Sequence, residues 1–145
     1  MAGWVVGGFA LSVFDAWLAR KLNRRRGTLR AAKTVEEKFS RIYGPKADFA
    51  WVMMTGEPSG EFGFRSLAAW PEDPAEYEDD VLDGILDELL ASGAGMTVLN
   101  ARFTLEEIKW HPVDGNRHAF YRAARAATQA ILSINEYPGN VVATG

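Results

Sequence analysis

The spacing of apolar side chains divides the chain into segments of helical and of strand period. Residues from about 74 to 91 carry the clearest helical signal: Tyr77, Val81, Leu82, Ile85, Leu86, Leu89 and Leu90 fall on one side of a helix. Asp73-Pro74-Ala75-Glu76 opens it with a side-chain cap, a proline at the first helical position and an early acid. A last helix is predicted from about Asn116, with Phe120, Ala124, Ala127, Ile131 and Ile134 in one row and Pro138-Gly139 as its stop. Thr34-Val35-Glu36-Glu37 reads as the capping box of another helix. Val35, Phe39, Ile42 and Tyr43 would line its buried side, and Gly44-Pro45 would end it.

Strand signals lie between the helices. Residues 49–54 and 62–70 form two apolar-rich runs joined by Gly56-Glu57-Pro58-Ser59-Gly60, which predicts an antiparallel hairpin. Residues 96–103 and 105–110 predict a second hairpin with a tight turn near Thr104. At the start of the chain, Phe9, Val13 and Trp17 alternate with Leu11, Phe14, Leu18 and Leu22 in two adjacent helical rows. A hairpin turning at Gly7-Gly8 is the competing account of that stretch. The predicted order is α-α-β-β-α-β-β-α: an α+β fold with an antiparallel four-stranded sheet and helices packed on it. Residues 1–145 form one domain, with an apolar and basic helical segment over about 1–33 and a ββα-ββα core over about 48–137.

Composition narrows the function. The absence of Cys excludes disulfides, thiolate metal sites and cysteine nucleophiles, and fits a cytoplasmic location. A net charge of -3 argues against a dedicated nucleic-acid binder. Residues 2–19 hold only one charge, Asp15, but the basic residues follow the apolar run, whereas a secretory signal places them before it. The run is short for a membrane span and contains three glycines, which argues against a spanning role. Residues 1–18 are left as a core helix, an interface helix or a membrane-surface helix.

Charge is segregated. Residues 16–35 carry seven basic side chains (Arg20, Lys21, Arg24, Arg25, Arg26, Arg30, Lys33) and no acid. Residues 66–101 carry nine acids (Glu72, Asp73, Glu76, Glu78, Asp79, Asp80, Asp83, Asp87, Glu88) and no Lys or Arg. These are either solvated helix faces drawn to one another or complementary patches that steer a partner or a second copy.

Catalytic signatures are missing. There is no nucleophile elbow, P-loop or dinucleotide fingerprint. Glu106 and Glu107 are consecutive, so on a strand they face opposite ways and cannot work as an acid–base pair. His111, Asp114 and His118 cluster near those acids, but their spacing fits no metal motif; no metal, no cofactor and no catalytic residue is assigned. Phe62, Phe64, Arg65 and Arg102 could hold a nucleic acid, but the clustered acids would repel it. The candidate ligand-binding residues are Trp51, Met53, Phe64, Trp70, Trp110, His111 and His118, around a pocket between sheet and helices. The expected function is a non-enzymatic interaction protein that binds a protein partner and dimerises, with the N-terminal segment at the contact. Secretion chaperones and toxin-neutralising immunity proteins share this element order, an analogy of architecture alone. The alternative is a small-molecule-binding protein or enzyme that uses the aromatic pocket.

Overall fold

Glycine and proline at Gly44-Pro45 set the first structural event, a two-residue turn with Gly44 at a φ of 58°. The computed structural model describes residues 25–29, 31–71, 75–91, 96–111, 116–135 and 141–144. The turn joins β2 (Lys33–Tyr43) to β3 (Lys46–Pro58), which pair antiparallel from Lys33↔Gly56 to Tyr43↔Lys46. The helix expected over residues 34–43 is therefore a strand. Its alternate residues Val35 and Phe39 pack on the core, and Thr34 spends its hydroxyl on Thr55 across the ladder instead of on a helix cap. β-branched and aromatic residues at these positions suit the pleated surface, and eleven paired residues outweigh a local capping signal.

The remaining elements are β1 (Arg25–Leu29), β4 (Gly63–Ser66), α1 (Ala75–Ala91), β5 (Met96–Lys109), α2 (Arg117–Asn135) and β6 (Val141–Thr144). Among the described residues, six strands form one mixed sheet in the order β2-β3-β5-β1-β6, with β4 on β5. The fold is α+β as expected, but the sheet is neither four-stranded nor purely antiparallel. β4 does not form a hairpin with β3; it runs parallel to β5, from Gly63↔Arg102 to Ser66↔Leu105, and β3 pairs with β5 antiparallel. β1 also runs parallel to β5 and antiparallel to β6, so residues 25–29 are strand and part of the expected loose tail is paired. Residues 1–24 of the N-terminal helical expectation lie outside the described residues.

The second expected hairpin is one continuous strand. Thr104 sits in the middle of β5, 2% exposed, where a turn was expected. The cause is a bulge: Met54 pairs with Leu105 but Met53 pairs with Glu107, so Glu106 is the extra residue. The inward parity therefore changes from Ala101, Phe103 and Leu105 to Ile108 and Trp110, which in sequence imitates two strands.

Both helices lie on one face of the sheet. Along β3 the buried positions are Asp48, Ala50, Val52, Met54 and Gly56, and α2 packs over β2 and β3. α1 rests mainly on α2. The one-sided pattern of both helices holds: Val81, Ile85, Leu89, Phe120, Ala124, Ala127 and Ile131 are buried with Phe62, Phe64 and Phe103. Asn116 fixes the start of α2, accepting a hydrogen bond from the Ala119 amide at 2.8 Å and donating one to the buried Asp48 carboxylate. Among the described residues, no helix is long and apolar enough to cross a membrane.

Candidate interaction surface

The seven candidate residues from the sequence fall in four places. Phe64 is fully buried in the core beside Phe103. Trp70 and Trp110 meet through Tyr77 and Phe120: Trp70 stacks on Tyr77 at 5.4 Å, and Trp110 stacks on Phe120 at 5.7 Å. Edge contacts of Trp70 with Phe120 and of Tyr77 with Trp110 complete this aromatic cluster at the edge of the core. His111 and His118 are exposed; His118 lies edge-on to Phe39 and stacked on Tyr121, each at 6.2 Å. Asp114 lies outside the described residues. Among the described residues, no three His, Asp or Glu side chains gather to hold a metal ion. Trp51 and Met53 alternate with the buried positions of β3 and so point away from the helices.

The acids of α1 are drawn into a seam with α2. Arg117 grips Asp80 with two nitrogens, at 2.5 and 3.1 Å, and reaches Glu76 at 3.5 Å. The Tyr121 hydroxyl donates to Asp87, and Arg125 donates to both Glu88 and the Tyr121 oxygen at 3.3 Å. Hydrogen bonding to Asp87, helped by burial, holds the Tyr121 phenol above its usual range. Glu78 is raised by burial and then by Asp79. Glu76, Asp80 and Glu88 thus meet cations of α2, while most of the basic run near the N-terminus lies outside the described residues. Beside this seam a shallow cleft of about 360 Å³ is lined by Phe39, Glu88, Arg122, Arg125, Ala126 and Gln129.

The sheet face turned away from the helices is the more ordered surface. Its rows follow from the strand register. Thr34, Thr55, Thr104 and Arg65 form one polar row, joined by a 2.7 Å bond between the first two hydroxyls and a 3.3 Å bond donated by Arg65 to Thr104. In the next row Met53 lies between Glu36 and Glu107. In the row after that Trp51 lies between Lys38 and Lys109, whose ammonium sits 4.5 Å from the ring centre. The four charged side chains are exposed, and Phe49, Trp51 and Met53 are half-buried. Sequence reasoning singled out Trp51 and Met53 but missed these charged neighbours. The signal was the two-residue repeat Glu36-Glu37-Lys38 and Glu107-Ile108-Lys109, the first of which was hidden where residues 34–43 read as helix.

Residues 24–134 match the family described as Elongation factor G, domain IV. The chain belongs to this elongation factor G domain IV family. The matched span takes in β1–β5, α1 and nearly all of α2, and so includes both the inter-helix seam and the open sheet face. Among solved structures, the chain is similar to a crystal structure from Thermus thermophilus, with a TM-score of 0.70 and 22% identity. The match covers 77% of this chain and 17% of that one, so the chain spans about a sixth of a much longer protein. At this identity the likeness shows the fold alone.

Proposed function

We propose that this chain is a non-catalytic binding domain that docks on a component of the translation apparatus. Membership of the domain IV family over residues 24–134 carries this proposal, since elongation factor G is ribosome-related. The described chemistry agrees with a binding role. The acids and cations between the helices are paired in a structural seam. The pocket alternative has less support, because Trp51 and Met53 face away from Phe64, Trp70 and Trp110. The partner expected from the sequence, a protein, is retained as one constituent of such an assembly.

The test is co-sedimentation of the full chain with purified ribosomes through a sucrose cushion. The chain should pellet with the ribosomes at low salt and be released as salt rises, as charge-steered docking requires. A chain that stays in the supernatant at every salt concentration would overturn the proposal.

A further inference from the structure

The open sheet face carries a charge pattern that complements itself. Two adjacent rows, about 6.8 Å apart along the strands, have opposite sign around an apolar centre: Lys38–Trp51–Lys109 and Glu36–Met53–Glu107. Face-to-face contact between two copies has few symmetric solutions. A two-fold axis along the strands would set Lys38 against Lys109 and Glu36 against Glu107 of the other copy, which repels. An axis through the Trp51 row would set each lysine against itself, which also repels. An axis lying across the strands, midway between the two rows, sets every lysine over a glutamate. Lys38 then meets Glu36 of the second copy, Lys109 meets Glu107, and Trp51 meets Met53. The symmetry repeats each pairing, giving four ion pairs around two tryptophan–methionine contacts.

We infer that the open face of the sheet is a docking surface for a second copy of this chain, arranged about that transverse two-fold axis. The aligned packing of two sheet faces permits it, with side chains of the two faces meeting at about 10 Å separation. The aromatic and thioether contacts supply the apolar part of the interface. The four ion pairs fix register and orientation more than they add affinity. This places the contact on β2, β3 and β5, in contrast to the interface at the N-terminal segment expected from the sequence. Its outcome is separate from that of the ribosome experiment, since either can succeed alone.

Analytical ultracentrifugation of the full chain and three charge variants tests it. The native chain should approach twice its 16.0 kDa mass as concentration rises. Lys38→Glu with Lys109→Glu makes the face uniformly acidic, and Glu36→Lys with Glu107→Lys makes it uniformly basic. Each pair should weaken self-association roughly 100-fold by placing like charges together, while circular dichroism shows the fold retained. Mixing the acidic and basic variants should restore the dimer as a heterodimer. The third variant exchanges all four charges, and should dimerise with itself because its rows again match. A native chain that stays monomeric at every concentration overturns the inference, as it would if residues of the same chain cover this face. A dimer that persists in both double variants overturns it equally, since the contact would then lie elsewhere.

Discussion

Asp83 shows how a single carboxylate feels its surroundings. It lies on α1 with Asp79, Asp80 and Asp87 as neighbours. Burial first, then Asp80, Asp87 and Asp79, raise its pKa above the ordinary value, while Arg117 pulls the other way. A group whose folded pKa is raised holds its proton more tightly in the folded chain. Its stabilising contribution is present below the unfolded pKa and is lost as pH rises through the folded one. At neutral pH the ionised Asp83 therefore costs stability. Asp83→Asn should stabilise the fold at pH 7 by roughly half a kcal/mol or less, because the side chain is largely exposed, and so raise the melting temperature. The gain should disappear near pH 3 (about a unit below the ordinary Asp value), where the native carboxyl is protonated in both states. Thermal melts at the two pH values check this; an equal gain at both would show that the substitution acts by something other than charge.

At the scale of elements, the contact between α1 and α2 depends on Gly84. A Cβ at this position would lie 2.5 Å from the Tyr121 carbonyl oxygen and 3.0 Å from the Ala124 Cβ. The first of these is backbone, which cannot rotate aside. Alanine is the better helix former by about 1 kcal/mol, so in an exposed helix Gly84→Ala would stabilise. Here the two helices must separate to admit the methyl, a forced repacking that costs typically about 1–3 kcal/mol. The expected net result is a lower urea midpoint. A midpoint that rises would mean that the helices do not approach so closely. Separation would also loosen the seam, because Arg117, Tyr121 and Arg125 reach acids on the facing helix.

For the whole molecule, β5 is the element that others depend on. It pairs with β1, β3 and β4, and the two helices close the same core above the sheet. Removing any one layer exposes the apolar faces of the others, so the described fold should unfold as one cooperative unit. Far-ultraviolet circular dichroism reports the helices, and tryptophan fluorescence includes Trp51 on the sheet and Trp70 and Trp110 packed against the core. Their denaturant transitions should coincide. Two separated midpoints would divide the molecule into independent parts, with β1 and β6 against the remainder as the natural boundary.

The sequence by itself determined the two described helices and the class of the fold. In α1 and α2 the apolar positions repeat every three or four residues over several turns, and that repetition admits only one buried side. The observed bounds, Ala75–Ala91 and Arg117–Asn135, lie close to those expected. Trp51 and Met53 were legible as conspicuous apolar residues in a strand, but not the face they occupy, because inward and outward positions of a strand differ by one residue of register. Only tertiary structure decided β2, since a capping box and strand alternation coexist over the same residues and long-range pairing with β3 selects between them. It also decided that β5 is one strand, since the bulge at Glu106 inverts the inward parity without any glycine or proline to mark it. The rows of the open face arise at the same level. Glu36, Lys38, Glu107 and Lys109 are far apart in sequence, and the shared partner β3 brings them into two lines.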